Sequence, residues 1–175
     1  MRLMLATAGS QGDVAPFAEL ARRAMTAGHE VRLVAPDNSG VDLVGIDVVS
    51  MGVDYARMIG QQGVSVAAAV RSYRSVVRPI MRGVIVGSAR AALEFRPDVL
   101  VVHPKVLSAP LVADVLGIPY VVVEIVPAMT PTAAFPAAGT ISRSVGRLNR
   151  LTYGAATASE ALFRQDLDEV ARLLA

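Results

Sequence analysis

The chain has no cysteine, which excludes disulfides and thiolate metal sites and leaves redox compartment undecided. It has no tryptophan, and aromatics make up 5%. Lys105 is its single lysine, and the other basic residues are arginines. The net charge of +2 is too small to imply nucleic acid, and no motif of a nucleic-acid-binding fold is present. No clustered His, Cys, Asp or Glu spacing suggests a metal site. Long apolar runs are also missing. The opening Met1–Thr7 is apolar but is interrupted by Gly9–Asp13, too soon for a signal peptide. The best candidate for a membrane span, Ile118–Met129, carries Glu124 and two prolines. These absences favour a cytoplasmic protein without a resident cofactor.

What the chain does have is apolar mass. Hydrophobic residues make up 53% and charged residues 18% of 175 residues, too apolar for disorder and enough for one filled domain. Arg2–Thr7 reads as a short buried strand. Val14–Ala27 reads as a helix, with apolar Val14, Phe17, Leu20, Ala21, Ala24 and Met25 spaced by threes and fours. Asp13 is its expected N-cap, Pro16 fits its first turn, and Gly28 its C-terminal stop. Further strands are expected over Glu30–Ala35 (closed by Pro36), Ile46–Ser50, Val99–Val102 and Tyr120–Ile125. A helical region over Val64–Phe95 should bend or break near Pro79, and Leu107–Leu116 should be a helix ended by Gly117. Val126–Thr140 reads as a long shaped loop, with helix returning from Ser142 and again from Ser159. Apolar strands alternating with helices predict an α/β fold: a Rossmann-like parallel sheet of order 3-2-1-4-5, with helices on both faces. The last helix ends at Ala175 with no closing element, so a fragment or half-protein is expected.

In such a sheet ligands bind beyond the carboxyl ends of the strands. That rule nominates Ala8–Asp13, His103–Lys105 and Val126–Thr140. The first loop is glycine-rich, but Gly9 and Gly12 give G-x-x-G, which fails the dinucleotide fingerprint, and it lacks the Lys-Ser/Thr pair of a P-loop. Asp13 would also set a negative charge where a phosphate should sit. Dinucleotide binding is therefore the weaker reading.

The block Thr7-Ala8-Gly9-Ser10-Gln11-Gly12-Asp13-Val14-Ala15-Pro16, followed by Gly28-His29-Glu30-Val31, resembles the opening of bacterial glycopeptide-antibiotic glycosyltransferases and of sterol glucosyltransferases. Arg96-Pro97-Asp98-Val99-Leu100-Val101-Val102 and Leu116-Gly117-Ile118-Pro119 are similar to their middle section. Pro127–Thr132, with Phe135-Pro136, resembles the sterol-type acceptor loop. These blocks stand in family order over nearly the whole chain. The resemblance implies half of a GT-B fold: residues 1–175 as one N-terminal, acceptor-binding domain, with the nucleotide-sugar held by a C-terminal domain outside this chain. The implied reaction is inverting transfer to a hydroxyl of a lipophilic or natural-product acceptor, with the nucleotide-sugar as co-substrate. A peptidoglycan lipid-intermediate glycosyltransferase would carry His in place of Asp13, which counts against that cousin.

The resemblance makes Asp13 the general base. A carboxylate in hydrogen-bond reach can take the proton of an acceptor hydroxyl as the new C–O bond forms. Capping competes with this role, and both can hold together. Ser10 is a candidate for acceptor or donor contact, or else a turn serine bonding its own backbone. Gly12 would let the backbone approach the substrates. His103 is expected to bind acceptor or orient Asp13, or to be structural. Met129, Thr130 and Phe135 would line an apolar acceptor pocket. His29 should lie on the surface at the far end of the sheet. From Tyr55 to Leu93 there are arginines and no acid. Arg71, Arg74, Arg78 and Arg82 are spaced to share a helix face. That face is either solvated or drawn to anionic lipid or an acidic acceptor, and the second option would fit a membrane-docked, non-catalytic half of a split glycosyltransferase.

Overall fold

A computed structural model describes residues 1–55, 57, 72–126, 129–137, 140–154 and 161–175. Five parallel strands form one sheet: β1 (Arg2–Ala6), β2 (Glu30–Asp37), β3 (Asp47–Asp54), β4 (Val99–Val102) and β5 (Tyr120–Val122). Their order is β3-β2-β1-β4-β5, as the alternation predicts. β1 is central, with Leu5 in register with Leu33 on one side and Val101 on the other. Its residues Met4, Leu5 and Ala6 are all buried, because both faces of the sheet are covered.

Helix α1 (Gln11–Thr26) covers one face and buries Val14, Phe17, Ala18 and Ala21 against Leu5, Val31 and Leu33. Burying Phe17 contributes about 2–3 kcal/mol by area. The other face carries α2 (Arg78–Phe95), α3 (Ala109–Leu116) and α5 (Arg164–Leu174). α2 packs closely on β3. A Cβ on Gly83 would meet the Val53 side chain and the Met51 carbonyl, so glycine there sets the spacing between helix and strand. A short turn, α4 (Asn149–Thr152), follows the long loop after β5.

Several boundaries differ from expectation. β2 runs through Pro36 to Asp37, because its pairing with β3 shifts register between Ala35 and Asp37 and leaves no ladder bond for the missing N–H. α1 begins earlier than its apolar pattern, at Gln11, so its N-cap is Ser10 and Asp13 stands three residues inside. Gly28, with φ +84°, follows the C-cap Ala27, and its N–H donates to the Met25 carbonyl at 2.9 Å. The helical region is broken at Pro79, as expected. This proline sits in the first turn of α2, preceded by a wide π-helical turn over Tyr73–Val77. β5 stops at Val122. The expected start at Val64, and Arg71 and Ser159, lie outside the described residues.

Candidate functional site

The carboxyl end of β1 opens directly into α1. Thr7 is fully buried, and its hydroxyl donates to the Asp13 carbonyl at 2.8 Å, holding the first helical turn against the strand. The Asp13 carboxylate reaches back and accepts the Ser10 N–H at 3.0 Å through Oδ2, the return half of a capping box. Gly9 lies directly beneath it with φ +152°. Any side chain there would collide with the Asp13 carboxylate. Asp13 therefore contributes to the cap from inside the helix, which corrects its expected place as the N-cap residue.

The other carboxylate oxygen faces the loop after β4. His103, anchored by its N–H to the Ala6 carbonyl at 2.8 Å, places Nε2 3.5 Å from Asp13 Oδ1. Its Nδ1 accepts the Lys105 backbone N–H at 3.1 Å. With Nδ1 as acceptor, the neutral ring carries its proton on Nε2, facing Asp13. Burial first, and then the Lys105 charge, push the imidazole down to about 4 against the opposing pull of Asp13. The contact is thus a neutral donor beside a carboxylate, not an ion pair.

Two residues that had no assigned role complete the cluster. The Lys105 ammonium donates to the Ala8 carbonyl at 3.1 Å and lies 5.4 Å from the centre of the Tyr55 ring. Burial lowers its pKa and Asp13 opposes that. Tyr55, just past β3, is buried, and its hydroxyl has no hydrogen-bond partner among the described residues. Burial and the nearby Asp13 charge raise its pKa, so the phenol keeps its proton. The one sequence signal for Lys105 was its being the lone lysine of an arginine-rich chain. Tyr55 carried none, because only the fold brings the residue after β3 against the side chain of Lys105 in the loop after β4.

Of the predicted residues, Ser10, Asp13 and His103 come together, with Asp13 four-fifths covered and His103 buried. Gly12 lies exposed in the first turn of α1 with open space where a side chain would point. Met129, Thr130 and Phe135 belong to the loop after β5, which is organised by its own contacts. Glu124 accepts from the Met129 N–H at 3.4 Å and the Thr130 hydroxyl at 3.1 Å. Tyr153 donates to the Phe135 carbonyl at 3.3 Å. Fully buried Asn149 holds the Ala133 carbonyl at 2.8 Å. Met129 and Phe135 themselves are each 45% exposed.

The arginine stripe resolves differently. Arg82 donates to both Glu169 oxygens at 2.7 Å, and Arg78 to Gln165 at 2.7 Å. Both guanidiniums also flank the buried Asp166 carboxylate, with Nε atoms 3.7 and 3.8 Å away. Arg78 and Arg82 therefore join α2 to α5 and are not two members of a free basic face. Arg74 is exposed. No described helix is long and apolar enough to cross a membrane.

No protein-family model matches the chain. Sterol 3-beta-glucosyltransferase UGT80B1 of Arabidopsis thaliana is 26% identical over 148 residues, 78% of this chain and 24% of the relative. Glycosyltransferase GtfC of Amycolatopsis orientalis is 33% identical over 124 residues, 69% of this chain and 30% of the relative. Among solved structures, the glycosyltransferase SnogD from Streptomyces nogalater superposes with a TM-score of 0.53 at 27% identity, over 73% of this chain and 34% of that one. The chain thus spans about a quarter to a third of the length of the relatives it matches.

Proposed function

We propose, from the premise that this chain is homologous to GT-B glycosyltransferases of the sterol-glucosyltransferase and glycopeptide-antibiotic type, that it is their acceptor-binding, base-bearing domain. A second domain, outside these 175 residues, would hold the nucleotide-sugar. The observation that carries the reading is the Asp13 carboxylate: it stands at the carboxyl end of the central strand, part exposed, fixed through one oxygen by Ser10 and faced at the other by a neutral histidine.

The chemistry follows from that arrangement. An acceptor hydroxyl reaching Asp13 gives its proton to the carboxylate as its oxygen attacks the anomeric carbon. The bond from that carbon to the nucleotide's phosphate oxygen breaks, and the nucleoside diphosphate leaves with the electron pair. Attack opposite the leaving group inverts the carbon. His103 Nε2–H keeps the carboxylate turned toward the acceptor side. Met129, Thr130 and Phe135 would receive the lipophilic body of the acceptor, with Ser10 and Gly12 at the rim where the donor approaches. The test is Asp13→Asn in the complete two-domain enzyme. Turnover should fall about 100-fold or more while donor affinity is kept. Near-normal turnover would reject Asp13 as the base.

A further inference from the structure

We propose that Lys105 is a positioning residue that locks His103 as the neutral Nε2–H tautomer, so that the imidazole can donate to Asp13 but cannot take a proton from it. Two parts of the same residue act together. Its backbone N–H occupies Nδ1 at 3.1 Å, where an imidazolium would need to place a second proton. Its ammonium is fixed nearby by the Ala8 carbonyl at 3.1 Å and the Tyr55 ring, so a charged ring would face a charged neighbour.

Among the described residues two charged groups act on the imidazole, Asp13 from α1 and Lys105 from the loop after β4, and Tyr55 at the end of β3 lies against the Lys105 ammonium. Among the described residues only Asp13 favours the imidazolium, and the phenol stays neutral. With Nε2 already carrying its proton and Nδ1 occupied by the Lys105 N–H, the imidazole offers no second stop for a proton that Asp13 accepts. The dyad runs opposite to one in which histidine is the base and aspartate its support. Lys105 acts through His103 and does not touch the acceptor. The ammonium also ties the Ala8 carbonyl, one residue before the Gly9 that cradles Asp13, so the same side chain steadies the carboxylate from below.

This inference rests on reading Asp13 as the base, but its test does not. Long-range ¹H–¹⁵N spectra of the 175-residue chain, with His29→Gln leaving a single histidine, report tautomer and charge directly. His103 should show the Nε2–H pattern through neutral pH and titrate near 4. In Lys105→Met the midpoint should rise by roughly half to one pH unit, and Lys105→Arg should restore it. An Nδ1–H tautomer, an imidazolium at pH 6, or an unmoved midpoint in folded Lys105→Met overturns the proposal. Should Lys105→Met not fold, the lysine Nζ resonance of the unsubstituted chain serves instead, because the chain has one lysine. Coupling is reciprocal, so that resonance should move as His103 titrates, and a flat response overturns the lock. These spectra need neither substrate, so their failure leaves the Asp13→Asn turnover test standing. An active Asp13→Asn enzyme with the lock intact would remove the base assignment alone.

Discussion

Replacing Gly9 with alanine tests whether Asp13 is held where the structure puts it. The backbone at Gly9 has φ +152°, a region that residues with a Cβ rarely adopt, and forcing alanine into it costs about 1–3 kcal/mol. The new methyl would also occupy the space of the Asp13 carboxylate, which must then swing away. That breaks the bond from the Ser10 N–H and separates Asp13 from His103. Ser10 is exposed, so water can replace part of that bond, and about 1 kcal/mol is lost rather than the full value of a charged hydrogen bond. The sum is about 2–4 kcal/mol, a substantial share of the ~5–15 kcal/mol that stabilises a typical domain. Urea unfolding followed by far-UV circular dichroism measures it, since the chain has no tryptophan to report by fluorescence. The same substitution in the complete two-domain enzyme should lower turnover by about 100-fold or more, because the proposed base has moved. A loss below ~0.5 kcal/mol with an unchanged His103 resonance would refute the reasoning, since a surface substitution of no structural consequence does the same.

Two other outcomes follow from the same structure. His103 is neutral in the fold down to about pH 4, whereas in the unfolded chain it takes a proton below about 6.5. The unfolded state therefore binds more protons between those values, and stability contributed by this group falls as pH drops from 6.5 toward 4, by up to about 1.4 kcal/mol per unit. His103→Gln should flatten that part of the stability profile, and an unchanged slope would contradict the buried, neutral ring. At the α2–α5 contact, Asp166→Ala removes a buried carboxylate flanked by two guanidiniums. Because both arginines are about half exposed, the expected loss is about 1–2 kcal/mol rather than that of a sealed ion pair, with faster tryptic cleavage near Arg164. An unaltered urea midpoint would show that the contact carries little.

The resemblance blocks and the strand–helix alternation sufficed to place β1, β2, β4, α1 and α3 and to predict the strand order. Those elements are local: apolar runs, a 3.6-residue period, and glycines where a helix must stop. Asp13 was likewise legible, because its loop follows the first strand and carries the family pattern. Its exact place in the cap was not, since a capping box depends on where the helix starts, and the amides of Ser10 to Asp13 could join the helix with few apolar side chains to mark it. The arginine spacing read as a free face because sequence shows period and not partners. α5, more than eighty residues later, supplies Gln165, Asp166 and Glu169. Sequence alone determined which strands bury and nominated Asp13, Ser10 and His103 as candidates, by local pattern. Only the tertiary structure could bring Tyr55, Asp13, His103 and Lys105 to one point, because these residues follow three different strands whose ends meet once the sheet has closed its order.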